Sequence, residues 1–522
     1  MLLVDAKTMQ ALDSRTIEGV GIPGLILMEN AGLGCAKIIL EEFGQELKKG
    51  CLVVAGPGNN GGDGFVIARH LFQKGYDVKI LCLSLADKFK ADALTNLKAC
   101  QGLGLDIIEA PSEEALHDRG HLFKEMGVIV DAMFGTGLGR ALEGRFSQAV
   151  SLINTSKQRV FSVDIASGLS ADTGQVLGAA VKADVTGTMA IPKVGHVNWP
   201  GILYTGKLRV IDIGIPSFVI DEAEERFELF DDSACCSVFR PRPADGHKGT
   251  FGHVIIFGGS RGKTGAACLC AHGALRSGAG LVTVASVRSS QFVIAQKLTE
   301  AMTDALPETP DGQISKDAFE VAMDLLQGKK AACIGPGLGI SKDAFAFSQK
   351  MAVHCPIPLV MDADALTALS KCTEVLKEAK APRVLTPHPG EMARLIGKEV
   401  AEIQKNRISY ARDLATDTGA VVVLKGMSTV CASPEGKISI NSTGNSGMGT
   451  GGMGDTLTGI IGALLAQGYD PWEAARIGVF VHGKGADLVS EIKGPFGYTA
   501  REAANQLPRV WAALSRTCRR GQ

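Results

Sequence analysis

Short apolar runs, nearly every one running into Gly, Asp, Ser or His, recur along this chain, with helix-like segments between them. In the first half they are CLVVAG (51–56), VKILCL (78–83), GVIVDAM (127–133) and RVFSVDI (159–165). In the second they are HVIIFGGS (253–260), LVTVAS (281–286), AACIGPG (331–337), PLVMDADA (358–365), RVLTPHPG (383–390) and VVVLKG (421–426). Unbroken apolar runs suit strands buried on both faces, and an intervening helix provides the crossover that parallel pairing needs. The pattern predicts an α/β chain of mainly parallel sheets flanked by helices, Rossmann-like in its first half. Glycine, 64 of 522 residues, suits the tight strand-to-helix turns of that class, and a 5% aromatic content argues against an all-β sandwich. In open α/β sheets ligands bind at the carboxyl ends of the strands. The polar endings therefore mark the candidate sites.

A chain of 522 residues predicts two or three domains. The break falls near residues 215–246, where the acidic DEAEERFELFDD and then RPRPADG read as a linker. Domains are accordingly expected at 1–217 and 228–520. A net charge of −1 offers no basic face to nucleic acid or membrane, and no run of 18 apolar residues predicts a membrane span. Asp5 and Lys7 stand where a signal peptide needs apolar residues. Thirteen scattered cysteines with no CxxC pair argue against structural zinc and for reduced thiols. A soluble cytoplasmic protein is expected, and a homo-oligomer stays open because the sequence sets no oligomeric state.

The densest glycine run is NSTGNSGMGTGGMGDTLT (441–458), which ends at Asp455 and enters an apolar helix-like segment. Glycines let backbone N–H groups close on an anion, and a helix N-terminus adds its positive end. A carboxylate at that junction can take a proton from a hydroxyl while the amides hold a transferring phosphoryl group.

Three strands in the first half deliver polar clusters to one sheet edge: GPGNNGGDG (56–64), DAMFGTGLGR (131–140) and DIASGLSADTG (164–174). The first fits neither the Walker loop nor the dinucleotide fingerprint. Each cluster read alone is equally a turn or helix cap; together they predict a polar site. Asn60, Asp131 and Ser167 are oxygen donors that suit a hard cation better than zinc.

With LMENAG (27–32), NNGGDG, DAMFGTGL and D-x-x-S-G-L-x-A-D-T-G, residues 1 to about 217 resemble the epimerase domain that acts on the hydrated nicotinamide cofactors NADHX and NADPHX. The resemblance implies substrate binding by Asn59, Asn60, Gly61, Gly62 and Asp63 and by Gly135, Thr136, Gly137, Leu138, Gly139 and Arg140. It implies potassium at Asn60, Asp131 and Ser167, and a catalytic Asp164 beside the reacting centre. Ala166 replaces the family's usual proline. The same domain type also occurs as a non-catalytic scaffold.

Residues from about 228 onward resemble the ribokinase-like family, and within it the ADP-dependent (S)-NAD(P)H-hydrate dehydratase. The matching stretches are HKGTFGHVIIFGGSRGKTGAA (247–267), RSGAGLVTVAS, GPGLG, DADAL, LTPHPGEMARLIG, LKGMSTV and the glycine run. Gly449 and Thr367 depart from the usual alanine and asparagine. The resemblance implies that Lys425, Gly426, Met427, Ser428, Thr429 and Gly454 bind adenine nucleotide. It implies that Ala266, Gly337 and His388 face the hydrated cofactor, and that Asp455 is the catalytic base. Read alone, His388 is equally a structural turn residue or a functional one, and Lys425 reads as a solvated strand end.

The combined expectation is a bifunctional repair enzyme for NADHX and NADPHX. It would take ADP as phosphoryl donor, with Mg2+ on the nucleotide and K+ in the first half. Two alternatives stay open: a small-molecule kinase whose product keeps its phosphate, and a non-catalytic first half fused to an active second half.

Overall fold

The protein is described by a computed structural model over residues 1–519. The expected domain end at 520 lies just outside the described residues. The chain forms two compact units, one of Leu2–Phe227 and one from Glu228 onward.

The first unit is built on a seven-stranded, wholly parallel sheet. Its strand order is Asp106–Glu109, Val78–Cys82, Cys51–Ala55, Val128–Ala132, Arg159–Val163, Val185–Met189, Lys207–Ile211. The chain leaves Cys51–Ala55 toward one edge and returns to pair with its other side through Val128–Ala132. That reversal opens a crevice beyond the carboxyl ends of these two strands. The loops that follow them, 56–58 and 133–143, stand on its two sides. Their contact is close: a Cβ on Gly56 would sit 1.9 Å from the Met133 carbonyl oxygen, so only glycine fits.

The second unit carries a sheet in the order Phe227–Phe230, Ile438–Asn441, Val430–Ala432, Val421–Leu424, Arg383–Leu385, Leu359–Met361, Ala331–Ile334, His253–Phe257, Leu281–Val287, Met302–Leu306. Pairing is parallel from Val421–Leu424 to Met302–Leu306 and antiparallel through the hairpin of Val421–Leu424, Val430–Ala432 and Ile438–Asn441. The apolar helix Met453–Ala466 packs on Thr264–Arg276 with almost no side chain between them. A Cβ on Gly459 would stand 1.8 Å from the Cys270 carbonyl oxygen, and one on Gly273 would stand 2.3 Å from that of Thr456.

The structure corrects two sequence expectations. The acidic stretch read as a linker contains the strand Phe227–Phe230 and the helix Asp232–Val238, whose first turn Asp231 caps through the Ala234 N–H. Charges around the strand are countered, since Glu228 pairs with Arg476 at 2.6 Å, while Phe230 packs edge-on against Phe480. The second correction concerns the thiols: Cys236 and Cys518 form a disulfide, and the other eleven cysteines are free. The pair lies on the helices Asp232–Val238 and Ala500–Arg519, with Cα atoms 5.0 Å apart, within ordinary disulfide reach. Among the described residues no helix is long and apolar enough to cross a membrane.

Two candidate active sites

A cavity of about 540 Å³ fills the crevice of the first unit. Asn59, Asn60, Asp63, Gly135, Thr136, Gly137, Leu138 and Asp164 line it, as do Met9, Asp13, Asp92 and Lys193 from distant segments. Gly61 and Gly62 serve the turn instead: a Cβ on Gly61 would meet the Gly56 carbonyl at 2.0 Å, and one on Gly62 the Met28 side chain at 2.7 Å. Gly139 and Arg140 are exposed and lie beyond the cavity wall.

Asp164 ends its strand at φ +64, a left-handed conformation uncommon for a residue with a Cβ. Surrounding contacts hold it there. Its N–H donates to the Gly187 carbonyl at 2.8 Å, and its own carbonyl faces His196 Nε2 at 2.8 Å. Because the Lys193 N–H donates to His196 Nδ1 at 2.9 Å, Nε2 carries the imidazole proton. Burial pushes the His196 pKa down to about 4, which keeps it neutral. Lys193 is fully buried. Its ammonium donates to Asp164 Oδ1 at 2.7 Å, to Thr188 Oγ1 at 3.1 Å and to the Met189 carbonyl at 3.1 Å, which accounts for all three protons. Burial works to raise the Asp164 carboxyl, but Lys193 outweighs it and holds the group below the usual carboxylate range. The second carboxylate oxygen stays on the cavity side. It and Asn60 Oδ1 lie 3.2 and 3.3 Å from where a Gly135 Cβ would stand.

Asp131 and Ser167 are joined to one another rather than exposed in the cavity. Asp131 accepts from Ser162 Oγ at 2.8 Å, Ser167 N at 2.9 Å, Ser167 Oγ at 2.6 Å and Met133 N at 3.3 Å. Ser167 Oγ also accepts from the Phe134 N–H at 2.9 Å, which ties the 133–143 loop to the strand end. Burial, the largest influence, still raises the Asp131 pKa despite these donors. Asn60 is 7% exposed and its Nδ2 has no hydrogen-bond partner in the structure. One carboxylate with amide, hydroxyl and carbonyl oxygens suits a monovalent cation in kind. Among the described residues there is no group of three or more His, Cys, Asp or Glu that could hold a metal ion.

In the second unit the strand ends converge on Asp455. Gly452, at φ +93, caps the helix Met453–Ala466, and Asp455 stands in its first turn. Beside it Lys425 Nζ donates to Asp362 Oδ1 at 2.7 Å and lies 3.7 Å from Glu391 Oε2, while Thr458 Oγ1 donates to Asp362 Oδ2 at 2.9 Å. A Cβ on Gly454 would stand 3.1 Å from Lys425 Nζ, so the helix start is pressed against that ammonium. Burial first, and then the Asp362 carboxylate, push the Asp455 pKa up to about 6. The Lys425 ammonium pairs directly with Asp362 and not with Asp455.

The expected nucleotide segment, Lys425 to Thr429, is the hairpin loop between Val421–Leu424 and Val430–Ala432. Gly426 and Ser428 have φ of +134 and +52, Met427 is exposed, and Thr429 Oγ1 donates to the Gly426 carbonyl at 2.8 Å. Arg407, 2% exposed, braces the loop from below through the Leu424 carbonyl at 3.1 Å. Ala266 and Gly337 are neighbours, for a Cβ on Gly337 would lie 3.2 Å from that of Ala266. His388 caps the helix Pro389–Ile396: its Nδ1 accepts from the Gly390 N–H at 3.0 Å, and its N–H donates to Glu391 Oε2 at 2.8 Å. Its ring is half exposed. Sequence reasoning missed Asp13, Lys193 and His196 in the first unit, and Asp362, Asp364, Lys263 and Glu391 in the second. Asp362 and Asp364 were visible as the acids of DADAL. Lys263, which pairs with Asp364 at 3.0 Å, carried no local signal.

A parallel α/β unit with a buried carboxylate–ammonium cavity, followed by a unit whose glycine loop runs into a helix beside a lysine, defines a two-site enzyme of small polar ligands. Comparison with known proteins places it more narrowly. The family described as NAD(P)H-hydrate dehydratase matches residues 254–509, and that described as YjeF-related protein N-terminus matches residues 24–195. The chain is 42% identical over 511 residues to the bifunctional NAD(P)H-hydrate repair enzyme Nnr of Moorella thermoacetica, covering 98% of this chain and 96% of that one. It is 36% identical to the Nnr of Escherichia coli over 460 residues, covering 88% and 84%. The crystal structure of the ADP/ATP-dependent NAD(P)H-hydrate dehydratase from Bacillus subtilis, co-crystallised with ATP/Mg2+, is 33% identical with a TM-score of 0.50, covering 55% of this chain and 99% of that one. The chain belongs to the family of bifunctional NAD(P)H-hydrate repair enzymes.

Proposed function

We propose that the first unit, expected at 1–217, interconverts the R and S epimers of NADHX and NADPHX. The second, expected from 228, dehydrates the S form with ADP, giving NAD(P)H, AMP and phosphate. Hydroxide is a poor leaving group from the hydrated ring and phosphate a good one. Asp455 takes the hydroxyl proton as the oxygen attacks the terminal phosphorus of ADP, and AMP departs. Phosphate then leaves with the bonding pair while the neighbouring ring carbon gives up a proton to the departing phosphate or to water, and that carbon's C–H pair becomes the restored ring double bond. Amides of Gly452 to Gly454 at the helix start stabilise the migrating phosphoryl group, Lys425 to Thr429 hold the nucleotide, and Ala266, Gly337 and the His388 segment face the hydrated cofactor. The observation that carries this reading is Asp455 in the first turn of the helix Met453–Ala466, after the glycine run and beside the Lys425–Asp362 pair.

Mg2+ would arrive on the nucleotide phosphates, as in the similar Bacillus subtilis structure co-crystallised with ATP/Mg2+. Potassium would lie among Asn60, Asp131 and Ser167, where its charge would help hold a bound pyrophosphate. For Asp131 to join it, the Ser167 hydroxyl must turn away from the carboxylate. We place the reaction in the cytoplasm, where its cofactor substrates arise. Mixed R and S NADHX, supplied with protein and either ADP or ATP, tests both halves. Recovery of NADH absorbance beyond the S fraction, faster than spontaneous epimerisation supplies it, requires the first unit, and recovery beyond that fraction only at the spontaneous rate means that only the second unit acts. A stable phosphorylated product by mass spectrometry would mark a kinase instead.

A further inference from the structure

Three carboxyl groups, Asp13, Asp63 and Asp164, line the cavity of the first unit with one ammonium, Lys193. Lys193 directs all its protons to Asp164, Thr188 and the Met189 carbonyl. Among the described residues no hydrogen bond reaches the Asp13 or Asp63 side chain. Asp92 adds a further acid to the wall and no second cation does. Three negative charges around one committed ammonium are not sustainable in a half-buried cavity, so protons must reside on the unpaired acids. Asp13 reaches the cavity from the helix Ala6–Ser14, whereas Asp164 reaches it from the sheet edge.

We infer that Asp13 is the proton donor of the epimerisation and Asp164 its proton acceptor, the two acting together on one carbinolamine. The inference rests on the epimerase reading above. The hydrated ring bears its hydroxyl on the carbon bonded to the ring nitrogen. Asp164 accepts the hydroxyl proton as the carbon–nitrogen bond breaks. The bonding pair passes to nitrogen, which takes a proton from Asp13, and the hydroxyl carbon becomes an aldehyde. Rotation of the aldehyde and reclosure by the reverse transfers give the other epimer. Both carboxyls return to their starting states, and nothing is consumed. Burial, with Asp164 as a neighbouring charge and Lys193 opposing, brings the Asp13 pKa to about 6, whereas burial lifts that of Asp63 well above the usual range. An acid that titrates near the working pH can give and regain its proton. Asp63 stays a neutral hydrogen-bond donor.

The test follows R-to-S conversion by chromatography against pH, with the spontaneous rate subtracted, for the full chain and for Asp13→Asn and Asp63→Asn. The donor must be protonated, so the wild-type rate falls about tenfold per unit above a pH of about 6. Asp13→Asn loses about 100-fold or more of the rate at pH 6 and shows no descending limb, while Asp63→Asn keeps the limb. A limb retained in Asp13→Asn, or lost only in Asp63→Asn, overturns the assignment. A carboxyl titration by 13C NMR of aspartate-labelled protein, assigned with Asp13→Asn, provides the second readout. A midpoint in the ordinary range near 4 also overturns it. Absence of any conversion by the wild type sinks the epimerase reading itself, and this inference with it.

Discussion

At Lys193 a wholly buried ammonium is matched, proton for proton, by Asp164, Thr188 and a carbonyl. Removing it in Lys193→Met strands a buried carboxylate, and breaking such a pair costs about 3–5 kcal/mol. The sign with pH is informative. In the wild type the depressed Asp164 pKa contributes stability above the unfolded value, lost as pH falls through the folded one. Without Lys193 the carboxyl pKa rises, so the penalty is greatest at neutral pH and shrinks on acidification. Chemical denaturation of Lys193→Met at pH 7 and pH 5 reads this difference. Asp164→Asn is expected to impair epimerisation and spare dehydration. Asp455→Asn should do the reverse, losing about 100- to 10,000-fold of the NADH recovered from the S epimer. Calorimetry should show that it still binds nucleotide, because the loop Lys425 to Thr429 is untouched. Asp164 and Asp455 were legible in the sequence because each closes a local signal, a strand end or a glycine run. Asp13 and Lys193 were not. They stand 180 residues apart, and their chemistry comes only from a cavity that both happen to line.

At the level of elements, the helix pair Met453–Ala466 and Thr264–Arg276 sets the position of Asp455, because the Asp455 helix lies directly on its neighbour's backbone. Gly459→Ala would force the two apart. Overpacking of this kind costs about 1–3 kcal/mol. A lower denaturant midpoint for the second unit is expected, along with weaker dehydration and unchanged epimerisation. The strands lining both crevices were readable as unbroken apolar runs. Those that were not readable have identifiable reasons. Val185–Met189 contains a glycine and two threonines, Lys207–Ile211 alternates polar residues at a sheet edge, and Asp106–Glu109 is bounded by acids. Phe227–Phe230 hides inside a charged run because its glutamate is neutralised by Arg476, 248 residues away. The loop of the hairpin between Val421–Leu424 and Val430–Ala432 gave no turn signal beyond a single glycine, and Arg407, which donates to the Leu424 carbonyl beside it, is announced by no local pattern.

For the molecule as a whole, two units imply two transitions. Fragments ending at Arg226 and beginning at Phe227, which keep the strand Phe227–Phe230 whole, should each melt cooperatively, and failure of both would mean that neither core is self-sufficient. The two activities should also respond oppositely to acid. On the proposed mechanism Asp455 is the base, and with its pKa pushed up to about 6 by burial, dehydration should fall about tenfold per unit below that pH. Epimerisation should instead fall above it, and assays of each epimer across pH 5 to about 8 distinguish the limbs. The disulfide adds a topological property. Cys236 and Cys518 are separated by 282 residues, so the bond converts almost all of the second unit into a closed covalent ring. A protease that cuts once inside a ring opens it without releasing a piece. Nicked molecules should therefore migrate as one species until a reductant is added, and only then divide in two.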